Sequence, residues 1–249
     1  HRALLLFSDS KKDRRVHTRA TLHHDLRQLG VVDTDTLFVH SSFRSLGQVK
    51  GGAGAVIGAL RDAVGPKGQV LMPSFNLIGS RDERAARWDI EQTPSCVGWL
   101  TEAFRQMPET ARSDHYSHSV AAQGCRSQDL VSGHLSQVGM SSPWDREPWG
   151  KTYSDESPMV KALDLNVKIL MVGIDYESST YVHLVEVMWW SARLAHDPTS
   201  TFRGLDRVEL GRIWDQEGVL ARGQVGDAAC RLFEAPAYVD QLLVWAERL

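Results

Sequence analysis

Over Lys168–Trp190 (KILMVGIDYESSTYVHLVEVMWW) an apolar run breaks into a polar loop and then turns helical. Ile169–Val172 has the length and composition of a buried strand, Gly173 ends it, and the loop behind it carries Asp175 and Glu177. From Thr180 the apolar residues recur at helical spacing, with Ser179 or Thr180 as the expected cap. Earlier in the chain, Thr36–His40 reads as a strand and Gly54–Val64 as a helix burying Val56, Ile57, Leu60 and Val64. Gln69–Met72 follows as a second strand closed by Pro73. Strand, helix and strand make a right-handed βαβ unit, so these two strands are expected to pair in parallel. Before them, Thr18–Leu29 sets Leu22, Leu26 and Leu29 on one stripe, with Thr18 or Thr21 as cap and Gly30 as stop.

The rest of the pattern is weaker. Ser74–Pro94 is irregular and charged, and such a run is more often a solvated face than a substrate-side flap. Val97–Met107 is predicted helical with Trp99, Leu100 and Phe104 inward, and Ser119–Ala122 a short strand. Gly139–Pro158 reads as a loop or a short excursion, and Met159–Leu163 as a helix. Beyond Asp197 the pattern predicts a strand near Arg207–Leu210, a glycine-rich turn at Ala221–Ala228, and C-terminal helices burying Leu232, Phe233, Leu242, Leu243 and Trp245. With no repeat and no low-complexity linker, one α/β domain is expected over 18–249. Residues 1–17 are expected to be a leader or an appended remnant, because the first stretch lacks the basic region and cleavage site of a signal peptide.

Composition narrows the partners. The chain has 249 residues, 42% hydrophobic and 24% charged, which suits a soluble globular domain. A net charge of −3 without a basic stripe argues against nucleic acid, and no apolar run is long enough for a membrane span. The three cysteines, Cys96, Cys125 and Cys230, are odd in number and lack CxxC spacing, which fits a reducing cytoplasm better than a disulfide framework. Oligomeric state is left at monomer or homodimer.

Candidate chemistry collects where strands end. His183 and Glu186 lie three residues apart on one helix face, where a carboxylate can fix an imidazole tautomer for general-base work. Spacing alone is met more often by a surface helix with no chemistry. A metal is not expected: Val187 stands where a zinc helix needs its second histidine, and His-x-x-Glu occurs once and in reverse of a di-iron motif. His115 and His118 are too few for a metal without further ligands. The hydroxyl-rich loop Ser41–Gly52 joins a strand end to a helix start, where an anion is favoured, but it matches neither GxGxxG nor a Walker loop. It fits a phosphate cradle and a plain structural loop equally well. No GxSxG motif supports a serine hydrolase, and Cys125 has no activating neighbour in sequence.

Four separated segments, in this order, resemble the aminoglycoside N3-acetyltransferases, which are distinct from the GNAT enzymes. They are FVHSSFRSLG with the following GG and GPKGQVLMPSF; RSDHYSHSVAAQG; SSP with ILMVGIDYESSTYVHLVE; and GQVGDAACRLF. The resemblance implies a three-layer α/β/α sandwich on a mixed, largely parallel sheet. It implies acetyl-coenzyme A as donor and a small cationic aminoglycoside as acceptor at the 3-amino group of its 2-deoxystreptamine ring, which is resistance by acetylation. On that pattern Ser41, Ser42, Phe43, Arg44 and Ser45, together with Arg112, Ser113, Ser119 and Val120, would hold coenzyme A. His183 would be the base with Glu186 and Asp175 as supporting carboxylates, and Asp175, Glu177, Glu186 and His115 would face the acceptor.

The chain departs from the pattern in places. Tyr116 stands where the family has Pro in RSxHP, which is expected to loosen His115, and Val185 replaces the Ala of HLAE. Ser178–Ser179 replaces the usual Asn before Thr180, and Trp189–Trp190 adds bulk. These changes are expected on the acceptor side, so they bear on which amine is accepted and not on acetyl transfer itself. A same-fold transferase for another amine is the first competing reading; a binding module without turnover is a separate one, against which the intact His183/Glu186 pair argues. Backbone N–H groups of Ser41–Arg44 are the candidate oxyanion donors.

Overall fold

The computed structural model describes residues 15–248. In chain order the elements are β1 (Val16–His17), α1 (Arg19–Leu29), β2 (Thr36–Ser41), a 3-10 turn (Phe43–Leu46), β3 (Gln48–Val49), α2 (Gly52–Val64) and β4 (Gln69–Pro73). Helices α3 (Arg81–Arg87) and α4 (Trp99–Arg105) precede β5 (Ala111–Arg112) and β6 (Val120–Gly124). Then come α5 (Ser127–Val131), β7 (Gly139–Met140), β8 (Tyr153–Ser154), α6 (Pro158–Leu163) and β9 (Lys168–Val172). A second 3-10 turn (Tyr176–Ser178), α7 (Tyr181–His196), α8 (Arg207–Glu217), β10 (Ala221–Val225), β11 (Ala228–Glu234) and α9 (Ala235–Ala246) complete the chain.

Seven strands form one sheet in the order β10-β11-β9-β2-β4-β6-β5. The alternation of side chains along each strand builds the layers. Leu37 and Val39 of β2, Val70 and Met72 of β4, and Leu170 and Val172 of β9 pack against α1, α2 and α4. Phe38, Leu71, Ile169 and Met171, offset by one residue, pack with α6 to α9 on the other face. A three-layer sandwich results, and burial on both faces explains why these strands read as continuous apolar runs. Within this sheet parallel pairing is confined to β9-β2-β4, while the flanking pairs are antiparallel. The sheet is therefore mixed as expected, with a smaller parallel share.

Local rules account for the well-read elements. Helix α1 starts with a reciprocal Thr18/Thr21 capping box and stops at Gly30. The unit β2-α2-β4 has the parallel register expected of a βαβ crossover. Gly173, with φ +61°, follows β9 at a point where a Cβ would overlap Ser45, so the β2 and β9 loops meet closely only because this residue has no side chain.

Several expectations are corrected. Arg207–Leu210 opens a helix instead of forming a strand, because Asp206 caps the Val208 and Glu209 amides and the buried positions are Leu210 and Trp214, one turn apart. Val208, which gave the run its alternating look, is 52% exposed. Within the expected turn at Ala221–Ala228, only Gly226–Asp227 turn; Ala221–Val225 is an edge strand, exposed at four of five positions and so without an apolar signal. Leu232 and Phe233 belong to β11, whereas Leu242, Leu243 and Trp245 lie on α9. Ser74–Pro94 contains helix α3 with its own Ser80/Glu83 capping box, and Trp99 points outward at 66% exposure. The fold includes Val16–His17, which pair with β3, while residues 1–14 of the expected leader lie outside the described residues. Among the described residues no helix is long and apolar enough to cross a membrane.

Candidate active site

The three central strands β9, β2 and β4 run the same way, and their crossovers leave on opposite faces: α2 on one, α6 and α7 on the other. The carboxyl end of β2 is thus the switch point at which open α/β sheets form a crevice. A cavity of about 320 Å³ lies there, bordered by His40 and Ser41 from β2, Pro73 from β4, Ile174 and Glu177 after β9, and His183 on α7. His118, just before β6, borders it too, since β6 is antiparallel to β4 and begins where β4 ends.

His183 is presented by the first turn of α7. Its Nδ1 lies 2.7 Å from Oε2 of Glu186, one turn on, as the three-residue spacing anticipated. Glu186 is 3% exposed, and its other oxygen accepts the Leu205 amide at 2.7 Å. An ionised carboxylate only accepts, so His183 donates through Nδ1 and its Nε2 carries the free lone pair in the neutral ring. Both Glu186 oxygens are occupied, so it orients the ring from behind and does not line the cavity.

The loop between β9 and α7 is pinned from below. Tyr176 is buried and donates to Oδ1 of Asp215 at 2.9 Å, and Arg231 of β11 holds the same carboxylate with a bidentate pair. Asp175 is exposed and accepts the Tyr176 amide as an N-cap, so it stabilises its own turn and makes no bond to His183. Glu177 does line the cavity, as does Arg207. Thr180 sits at the N-cap of α7 with its side chain turned to His40, Oγ1 to Nε2 3.3 Å, instead of to the helix amides.

The expected coenzyme A residues divide into two groups. Ser41 borders the cavity; Arg44 is exposed and its side chain makes no hydrogen bond or ion pair among the described residues. The Ser42 amide is spent on the Val172 carbonyl at 2.9 Å, and Ser45 donates back to the Ser42 carbonyl. Ser113, Ser119 and Val120 are fully buried and bond to one another: Ser119 Oγ donates to the Ser113 carbonyl, and the Val120 amide to Ser113 Oγ. Arg112 is stacked on Trp88 and donates to Ser119 Oγ and to the carbonyls of Ile90, Thr93 and Ser74. Burial lowers its pKa to about 10. These four residues are joinery of the β5–β6 edge, and Arg112 faces a separate open groove of about 730 Å³ whose Glu102 and Arg105 pair with each other. None of these four residues borders the cavity at the carboxyl end of β2.

His115 is also relocated. It is fully buried, and its Nδ1 accepts the amides of Ser117 at 3.3 Å and His118 at 2.9 Å, so it shapes a loop instead of facing an acceptor. Tyr116, in the place of the family proline, does not loosen it: the Tyr116 ring stacks on His115, and its hydroxyl donates to the Trp144 carbonyl at 3.0 Å. Val185 is buried in the core, and Trp190 donates to the Ser200 carbonyl, so neither borders the cavity. His40 and His118 also border the cavity; the sequence pattern assigns His40 no role and weighs His118 only as a metal ligand. Burial keeps both rings neutral, with the His40 pKa lowered to about 4 and that of His118 lowered well below the usual value.

The aminoglycoside 3-N-acetyltransferase family model matches residues 38–247. The SPbeta prophage-derived aminoglycoside N(3')-acetyltransferase-like protein YokD of Bacillus subtilis (strain 168) is 30% identical over 262 residues, covering 92% of each chain. Aminoglycoside N(3)-acetyltransferase VII of Streptomyces paromomycinus is 28% identical, covering 92% of this chain and 91% of that one. The crystal structure of aminoglycoside acetyltransferase AAC(3)-Xa superposes with a TM-score of 0.75 at 27% identity over 93% of both chains. The match runs from the central strand β2 through α9 and takes in both sides of the cavity, and the chain belongs to the aminoglycoside 3-N-acetyltransferase family, a family of acyltransferases.

Proposed function

We propose that this chain transfers the acetyl group of acetyl-coenzyme A directly to the 3-amino group of a 2-deoxystreptamine aminoglycoside, with His183 as general base. The observation that carries the reading is the 2.7 Å bond from His183 Nδ1 to buried Glu186, which leaves Nε2 as the proton acceptor at the cavity. A thioester is already activated, so no covalent acyl-enzyme is needed. The protein has to align an amine, take its proton and stabilise the oxyanion. Exposed Arg44, beside the β2 loop, is a suitable partner for coenzyme A phosphates. The test is thiol release from acetyl-coenzyme A with gentamicin-like, kanamycin-like and apramycin-like acceptors, followed by locating the acetylated nitrogen. His183→Ala is expected to lower turnover by on the order of 10²–10⁴ while calorimetric affinity for acetyl-coenzyme A stays near wild type. Turnover at the wild-type rate in that variant would refute the base assignment.

A second reading, acetylation of a less highly charged amine, is favoured by one observation. Among the described residues Glu177 is the one carboxylate bordering the cavity, and Arg207 borders it too, whereas a polycation is best met by several uncompensated acids. Turnover of a neutral-bodied monoamine above that of every aminoglycoside in the panel would select it.

A further inference from the structure

We propose that His118 is the oxyanion donor of this site, its Nε2–H bonding to the thioester carbonyl oxygen across the cavity from His183. The inference rests on the acetyl-transfer reading above and adds a catalytic residue to it.

Four observations converge on this ring. First, His118 and His183 border the same cavity, and the Trp144 ring packs against both, with centroids 5.4 Å and 5.3 Å away. Second, His118 Nδ1 is engaged by Ser117 Oγ at 2.8 Å, which leaves Nε2 as the nitrogen without a partner among the described residues. Third, the tautomer follows from Ser117, which is 1% exposed and whose hydroxyl makes this one bond. If that oxygen accepted, its own O–H would be buried without an acceptor, which is costly. The hydroxyl therefore donates to Nδ1, and in the neutral ring the hydrogen sits on Nε2. Fourth, the loop is rigid. His115 Nδ1 clamps the Ser117 and His118 amides, and the His115 ring stacks at 4.7 Å on His134, itself fixed between Ser113 Oγ and the Thr152 carbonyl. Preorganised donors of this kind are what an oxyanion site requires. Burial above all, with His183, His134, Arg84 and Arg81 around the ring acting in the same sense, lowers the His118 pKa well below the ordinary value and holds it in the neutral donor form.

The step balances without a further reactant. The amine lone pair forms the C–N bond, and the carbonyl π pair moves to oxygen, where His118 Nε2–H meets it. The amine proton passes to His183 Nε2. When the oxygen pair returns, the C–S bond breaks with its electrons on sulfur, and the proton on His183 is delivered to the thiolate, giving amide and coenzyme A thiol.

The test is isotope-edited infrared spectroscopy of carbonyl-labelled acetyl-coenzyme A bound without acceptor, alongside steady-state kinetics. Wild type and His183→Ala are both expected to bind the thioester with its carbonyl band below the free frequency. In His118→Phe the band is expected at the free frequency, with kcat down on the order of 10²–10³ and the donor KM little changed. His118→Gln, which keeps an N–H donor, is expected to recover part of both, and Ser117→Ala, which frees the tautomer, to weaken both. A lowered band or an undiminished kcat in folded His118→Phe overturns the inference. If His118→Phe does not fold, a free-frequency band in His118→Gln, or an unaltered one in Ser117→Ala, does the same. His183→Ala separates the two claims: wild-type turnover there removes the proposed base, while loss of the band shift in His118→Phe still stands for the donor.

Discussion

At the scale of single residues, the tautomer of His183 depends on an acceptor behind it. Glu186→Gln would keep an oxygen for the Leu205 amide but turn an N–H donor toward Nδ1, which favours hydrogen on Nε2 and removes the lone pair from the cavity. The variant is expected to fold with near-wild-type stability yet lose on the order of 10²–10⁴ in kcat, with the KM for acetyl-coenzyme A little changed. Unaltered kcat in Glu186→Gln would show that the carboxylate does not set the tautomer. This pair was legible in the sequence because three-residue spacing on a helix forces adjacency. His118 was not, because its place depends on β6 pairing antiparallel to β4 and on the His115 clamp, neither of which leaves a local mark. Asp175 shows that an acidic residue in a site loop can serve its own turn as readily as a neighbouring ring.

At the scale of elements, caps and close approaches set what the chain tolerates. Asp206→Ala removes the acceptor for two amides at the start of α8 and is expected to cost about 1 kcal/mol, a fall of about 2–4 °C in Tm by calorimetry. An unchanged Tm would mean that water replaces the cap fully. Gly173→Ala is expected to cost more, about 1–3 kcal/mol, because it combines φ +61° with overlap onto Ser45, and it should displace the β2 loop and lower turnover too. Elements with strong apolar periodicity, α1, β2, α2, β4 and β9, were readable to within a residue or two. Helix α8 and strand β10 were not: four residues of Val-x-Leu spacing mimic a strand, and an exposed edge strand is defined by its partner instead of by its own pattern.

The whole molecule carries a buried set of neutral histidines, and that ties stability to pH. His40 and His134 have pKa values lowered to about 4 by burial, and His115 and His118 are lowered in the same sense. Each ring is neutral in the folded state but takes up a proton on unfolding once pH falls below about 6.5. The unfolded state then binds more protons, so stability falls between pH 6.5 and about 4, on the order of 3 kcal/mol each for His40 and His134. Urea denaturation is expected to give a clearly lower midpoint at pH 4.5 than at pH 7; a flat profile would mean these rings are hydrated or already charged. The same burial that makes the histidine cluster costly in acid keeps His118 neutral beside the cavity.

The central claim is that the amine proton leaves through His183. It is tested most directly by thiol release in His183→Ala with and without added imidazole, at neutral pH and saturating acetyl-coenzyme A. The account predicts a rate depressed on the order of 10²–10⁴ that rises with imidazole concentration, as a free base enters the vacated space. A wild-type rate in the variant without imidazole would contradict it.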